Sequence, residues 1–215
     1  MSRHERNIED DGDLKGAFAS SSARAAREHY NDWAARYEAE NLGKGMRHPF
    51  VAAAYFARHM PLDEGPILDA ACGTGLVGEA LKVLGYRHLI GCDLSEKMMR
   101  AARRYDAYRD FASADLTALP FADGTFAGFT CVGAFGPGHA PPHALSELAR
   151  VTRPGGIGVF SLREDTQRDQ GFPQEMESLT RSGRWREIED SDAFRAYLIG
   201  EPELYARIIA VEILR

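Results

Sequence analysis

The residues best placed to do chemistry are three acids and the glycines beside the first. Asp69-Ala70-Ala71-Cys72-Gly73-Thr74-Gly75 follows a short apolar run and precedes a helical pattern. Gly73 and Gly75 let the backbone turn tightly and let a ligand approach where a Cβ would block it. Asp93 stands twenty residues after Gly73, at the end of the next apolar run. There a carboxylate can accept hydrogen bonds from both hydroxyls of a ribose. Asp115 follows a third run, with Leu116 beside it. An acid there can take an exocyclic amine while the leucine packs on the ring that carries it. His139 and His143, in GPGHAPPHA, follow a fourth run. An imidazole titrates in the working range and can take a proton from a hydroxyl or amine. A structural alternative stands beside that role: His139 satisfying a loop backbone group and His143 capping a helical turn.

These residues need strands that end together. Ile67–Ala70, the run HLIGCD to Asp93, Phe111–Ala114 and Phe126–Val132 read as short strands, and IGVFSL after Pro154-Gly155-Gly156 as a fifth. Helical patterns lie between them: LVGEALKVLG ending at Gly85, a helix capped by Ser95, and ALSELARVT after Pro141-Pro142. Alternating strand and helix implies a Rossmann-like, doubly wound, mostly parallel sheet covered on both faces. A helix at Gln174–Arg181, a strand at Arg184–Glu189 and the strand LYARIIAVEIL complete seven strands.

The N-terminal third is different. Residues 1–22 mix charge, glycine and serine and read as a flexible arm. From Ala23 the pattern is helical, with Tyr30, Trp33, Ala34 and Tyr37 forming a stripe on one helix face. A second helix runs through PFVAAAYFARHM to Pro61. The chain therefore divides into a helical lid (23–62), a ligand-binding core (63–162) and a C-terminal helix with antiparallel strands (163–215), in one domain.

Composition narrows the function classes. The 215 residues carry 26 Lys+Arg against 32 Asp+Glu, a net charge of −6. A nucleic-acid binder ordinarily has a basic surplus. No apolar run nears the roughly 20 residues that span a bilayer, and the N-terminus lacks the apolar core of a secretory signal. Cys72, Cys92 and Cys131 are odd in number and show no CxxC spacing. That argues against a disulfide framework or a zinc site and for a reducing cytoplasm. The local basic group Arg100, Arg103, Arg104 and Arg109 is interleaved with Asp106 and Asp110 and reads as a solvated face.

Gly73-x-Gly75-x-x-Gly78 also satisfies the dinucleotide pattern literally, so a nicotinamide reductase is one candidate. Against it, no Tyr is followed four residues later by Lys, and the chain leaves little room for a substrate domain. Asp115-Leu116 suits a single adenosine better.

ILDAACGTGLVG, GCDLSEKMM, ADLTALPF and ELARVTRPGG together resemble the successive motifs of class I S-adenosylmethionine-dependent methyltransferases. With YNDWAARYE and VGAFGPGHAPPHALSELARVTRPGG, the chain is most similar to the Williams–Beuren-syndrome-region methyltransferase-like group. The resemblance implies S-adenosylmethionine as cofactor, with S-adenosylhomocysteine as product. It implies that Asp69, Ala71, Gly73 and Gly75 hold the methionine end, with Cys72 in the same loop. Asp93 then holds the ribose, Leu94 and Met98 flank the adenine, and Asp115 and Leu116 read it. Cys131 and Val132 close the fourth strand at the boundary between cofactor and acceptor. Met98 has a second reading as a gap-filling core residue. Ala71 departs from the family's usual glycine. In similar enzymes the N-terminal segment folds over the cofactor, so Tyr30 and Tyr37 become candidates to face the sulfonium, core packing being the other reading of the stripe. His139 is the candidate base.

The fourth strand lacks an Asn/Asp-Pro-Pro-Tyr/Phe motif, and no acidic cluster follows it for a magnesium-dependent mechanism. The expectation is a methyltransferase acting by in-line displacement on a small molecule, as a monomer or homodimer, without nucleic acid, membrane or metal. The alternatives are a non-catalytic adenosyl-binding protein and the nicotinamide reductase.

Overall fold

The computed structural model describes residues 22–135, 139–164, 171–199 and 204–215. The N-terminal arm lies outside that set except for Ser22, whose hydroxyl accepts from the Ala25 amide at 3.2 Å and caps the first helix.

Five strands run parallel: β1 (Ile67–Ala70), β2 (Leu89–Asp93), β3 (Tyr108–Ser113), β4 (Phe126–Cys131) and β5 (Thr152–Arg163). With β6 (Trp185–Asp190) and β8 (Tyr205–Ile213), the order is β3-β2-β1-β4-β5-β8-β6, and β8 is antiparallel to both neighbours. A two-residue strand, β7 (Phe194–Arg195), also pairs with β8. The sheet is thus eight-stranded rather than seven. The extra strand is too short to carry a hydropathy pattern.

The helices are α1 (Ala23–Trp33), α2 (Tyr37–Gly43), α3 (His48–His59), α4 (Leu76–Val83), α5 (Glu96–Ala102), α6 (Ala144–Val151) and α7 (Phe172–Arg181). β1 and β4 are buried along their whole length, as strands covered on both faces must be. Side chains along β1, β5 and β8 alternate between two cores. Ile67, Val159 and Ile208 meet Ala52, Phe56, Val77 and Leu81 of α3 and α4 on one face. Leu68, Phe160 and Ile209 meet Leu145, Leu148 and Leu179 of α6 and α7 on the other. α4 stops as its sequence implies: Gly85 is left-handed at φ 109°, and Gly85 and Tyr86 donate to the Lys82 and Leu81 carbonyls.

Three boundaries differ from the sequence expectation. β3 starts at Tyr108 rather than Phe111, because it is an edge strand whose Arg109 and Asp110 face solvent and hide the pattern. β5 starts at Thr152: Phe126 pairs with Thr152 and Gly128 with Ile157, so Pro154-Gly155-Gly156 is an irregularity within the strand rather than a turn before it. The aromatic stripe is not on one helix. The chain turns after Trp33 and restarts at Tyr37, so its rings come from two helices.

Candidate functional site

The strand order reverses at β1, which has β2 on one side and β4 on the other. Ligands of open α/β sheets bind in the crevice at such a point, outside the carboxyl ends of the strands. A cavity of about 370 Å³ lies there. Its floor comes from segments following four successive strands: Ala71 and Gly73 after β1, Asp93 and Leu94 at β2, Ala114–Thr117 after β3, and Val132–Ala134 after β4.

Two acids face this cavity. Asp93 accepts from the Gly73 amide at 2.9 Å on one oxygen and from the Ser95 amide at 2.8 Å on the other. It therefore ties the glycine loop to the start of α5, and each oxygen keeps lone-pair capacity for a further donor. Burial raises its carboxyl pKa, while the amides of Ser95, Gly73 and Leu94 oppose the rise. Asp115 closes a turn by accepting from the Thr117 amide and hydroxyl, at 2.9 and 2.8 Å. Leu116 and Met98 are apolar wall residues, and both are buried.

The loop itself is strained at one point. Ala71 has φ 54°, a left-handed conformation that costs a non-glycine residue about 1–2 kcal/mol. Gly73 is also left-handed, and a Cβ built there meets nothing within 4 Å, so its open side faces the cavity.

Of the residues singled out from sequence, Tyr30, Tyr37, Ala71, Gly73, Asp93, Leu94, Met98, Asp115, Leu116 and His139 share this one lining. Four others do not. Gly75 faces α5, where a Cβ would stand 2.9 Å from the Ala102 Cβ. Cys72 and Cys131 are buried and free, with thiols pushed up by burial. Asp69 is 1% exposed and lies under the loop. The Tyr108 hydroxyl donates to one of its oxygens at 2.6 Å and the Thr130 hydroxyl to the other at 2.8 Å. Burial raises the Asp69 carboxyl to about 6 against those two hydrogen bonds. Asp69 thus supports the loop from below and does not reach the cavity wall.

Tyr108 also explains the third glycine. A Cβ on Gly78 would stand 2.2 Å from the Tyr108 ring, so Gly78 leaves the notch through which that phenol reaches Asp69. The dinucleotide pattern is met here by a side-chain packing requirement.

α1 and α2 cover the cavity. Ala23, Ala26, Arg27 and Tyr30 line it from α1, and Tyr37 from the start of α2, whereas α3 packs on the sheet face. Asn31 anchors this cover: its side-chain oxygen accepts from the Ser95 hydroxyl at 2.8 Å and the Lys97 amide at 3.2 Å. Nothing in the sequence marks Asn31, because its partners lie more than sixty residues away. Trp33 is 2% exposed, stacks on Tyr30 and meets Tyr37 edge-on, so it belongs to the core of the cover. The Tyr30 hydroxyl and His139 Nε2 are 2.6 Å apart and join the cover to the loop after β4. Burial holds the phenols of Tyr30 and Tyr37 well above their ordinary pKa, so both stay protonated. His143 is exposed at the N-terminus of α6, its side chain makes no capping bond, and it is outside the lining.

A cradle with an open glycine, an acid for paired hydroxyls, and an acid beside Leu116 and Met98 fits an adenosyl group. A family model described as a methyltransferase domain matches residues 67–156. Human methyltransferase-like protein 27 is 32% identical over 166 residues, covering 73% of this chain and 66% of that protein. The malonyl-(acyl-carrier protein) O-methyltransferase of Erwinia pyrifoliae is 41% identical over 95 residues, 44% of this chain and 36% of that protein. The chain thus spans only part of the length of each relative. Among solved structures, the magnesium protoporphyrin IX methyltransferase of Synechocystis PCC 6803 with bound S-adenosylmethionine covers 91% of this chain and 99% of its own, with a TM-score of 0.68 and 17% identity. That likeness shows the fold. The sequence relationships show the lineage: the chain belongs to the class I S-adenosylmethionine-dependent methyltransferases, of the methyltransferase-like protein 27 type.

Proposed function

We propose that the protein transfers a methyl group from S-adenosylmethionine to a small-molecule acceptor. The observation that carries this reading is the single cavity that gathers Gly73, Asp93, Asp115 and His139 from four strand ends. Asp93 would hold the ribose, Asp115 with Leu116 and Met98 the adenine, and Ala71 and Gly73 the methionine end, with Asp69, Cys72 and Gly75 shaping the loop from behind. Cys131 closes β4 beneath the boundary with the acceptor. When bound, the cofactor supplies a methyl group activated on a sulfonium. The chain's own residues then position the acceptor in line, exclude water through α1 and α2, and receive a proton where the acceptor carries one. His139 would take that last role, a reading supported by its position on the cavity wall with Tyr30 at its Nε2. This placement supports catalysis over a binding-only role. The relatives include a malonyl-(acyl-carrier protein) O-methyltransferase, which supports an acceptor other than nucleic acid. No helix among the described residues is long and apolar enough to cross a membrane, and three buried free thiols support a reducing, cytoplasmic setting.

Calorimetric titration tests the reading. S-adenosylhomocysteine should bind with micromolar or tighter affinity and NAD(P) should not compete. Binding of NAD(P) without S-adenosylhomocysteine would overturn it.

A further inference from the structure

A second cavity, of about 60 Å³, adjoins the first and shares Tyr30, Tyr37, Gly133 and His139 with it. At about 10–15 Å³ for each water-sized position, that volume takes roughly four to six heavy atoms, the scale of one six-membered ring. The rest of its wall comes from parts of the chain that the methyl-donor motifs do not include: His48 at the start of α3, Ser161 near the end of β5, Ala196 and Tyr197 after β7, and Ala206 on β8.

Neutral polar groups gather where the two cavities meet. Gly133 belongs to both. The Ser161 hydroxyl accepts from the Gly133 amide at 2.8 Å, which fixes its oxygen there and leaves its proton to donate. His48 Nε2 lies at the same spot, since a Cβ built on Gly133 would stand 3.4 Å from it. Burial pushes the His48 imidazole down to about 4, so the ring is neutral near pH 7 and one of its nitrogens is an acceptor. The Tyr30 hydroxyl and His139 Nε2, 2.6 Å apart, complete this junction. Most of the remaining wall is rings and methyl groups. Trp33, Phe135, Ala196 and Ala206 are all buried. Trp33 meets Tyr37 edge-on at 4.8 Å, and His48 meets Tyr197 edge-on at 5.8 Å. The Tyr197 hydroxyl donates to Asn41 at 2.8 Å. Arg163, opposite Ala206 in the pairing of β5 with β8, also lines the cavity and already has a partner within the protein.

A ring-walled space of this size suits one aromatic ring, which joins the edge-to-face array already there. A cationic ring would meet the like charge of Arg163. An anionic one would have to compete with the partner that Arg163 already has, or be buried without a counter-ion. The polar junction beside Gly133 suits a single hydroxyl on that ring, with Ser161 and His48 able to hold it by donating and accepting. We propose that the acceptor is a neutral phenol, bound with its ring in the second cavity and its hydroxyl at the junction, beside Tyr30 and His139. This rests on the methyltransferase reading above. The phenol oxygen bonds to the methyl carbon as the carbon–sulfur bond breaks, the sulfur keeps that electron pair, and the phenol proton leaves to the Tyr30–His139 pair.

The test uses the full chain saturated with S-adenosylhomocysteine, titrated with phenol, cyclohexanol and benzoate and followed by NMR. Phenol should bind at least tenfold more tightly than cyclohexanol, which has the hydroxyl without the flat ring, and than benzoate, which has the ring with a charge. Ala196→Val and Ala206→Leu fill the second cavity at positions that do not line the first. Each should weaken phenol at least tenfold, with S-adenosylhomocysteine affinity within threefold of wild type. Cyclohexanol or benzoate binding as tightly as phenol, no measurable phenol binding, or phenol binding unchanged in a folded filling variant overturns the proposal. Where a filling variant does not fold, the wild-type ranking of the three probes still decides it. Failure of S-adenosylhomocysteine itself to bind the wild-type chain would instead overturn the underlying methyltransferase reading.

Discussion

Asp69 and Tyr108 offer a measurable account of what holds the glycine loop. Tyr108→Phe removes one hydroxyl and leaves the ring in the notch over Gly78, so packing is conserved. The loss falls on Asp69, which retains the Thr130 bond alone on its second oxygen. A hydrogen bond to a charged group contributes about 1.5–3 kcal/mol, and one between neutral groups about 1 kcal/mol. Which value applies depends on pH. The Asp69 carboxyl is raised to about 6 in the folded chain, above the roughly 3.9 of an unfolded aspartate. Its protonation therefore favours folding: that contribution is full below about pH 4 and is lost as pH rises through 6. A shift of about two units corresponds to roughly 3 kcal/mol. Removing the Tyr108 hydroxyl takes away a bond that holds the carboxyl down, so it deepens the loss above pH 6. Urea unfolding of wild type, Tyr108→Phe, Asp69→Asn and the double variant, at pH 5 and pH 8, measures this. Tyr108→Phe should cost about 2–3 kcal/mol at pH 8 and about 1 kcal/mol at pH 5. At pH 8 the double-variant cycle should show coupling of about 1 kcal/mol or more. Equal costs at the two pH values, or additivity within about 0.5 kcal/mol, would refute a hydrogen bond from Tyr108 to a charged Asp69.

Three further outcomes follow from the same geometry. Asp93→Ala should weaken S-adenosylhomocysteine binding by about 1.5–3 kcal/mol in calorimetry, because the carboxylate and the Gly73 tether are lost together; an unchanged dissociation constant would remove Asp93 from the site. Ala71→Gly should raise the urea midpoint, gaining up to about 1 kcal/mol, since relief of the left-handed alanine exceeds the added chain entropy; a loss of stability would show that Ala71 is not strained. Tyr37→Leu should weaken S-adenosylmethionine more than S-adenosylhomocysteine by about 1 kcal/mol, because only the former carries a sulfonium for the aromatic face; equal losses would make Tyr37 a packing residue.

The cofactor side was legible because its signals are local. Loop glycines, a strand-end acid and a capping serine each stand within a few residues of the element they terminate, and parallel register brings those ends together: Ala70 lies opposite both Cys92 and Cys131. Asp69 fits the same spacing, yet its neighbours decided its task. Tyr108 and Thr130 are 39 and 61 residues away and come from the strands flanking β2 and β1. Asn31 was invisible for the same reason. The start of β3 carries no apolar signal, because an edge strand need not be apolar.

The alternation of strand and helix, the site of the glycine loop and the strand-end positions of Asp93 and Asp115 are all written in the amino-acid sequence. Those follow from propensity, period and turn chemistry over short spans. Only the tertiary structure decided which acid faces the cavity and which is buried beneath it, that Gly78 serves Tyr108, and that His48, Ser161, Arg163 and Tyr197 meet in one small cavity. Those relations depend on the order in which strands pair and on a C-terminal strand returning antiparallel beside β5. No local pattern records them, because the residues they join are distant in the chain.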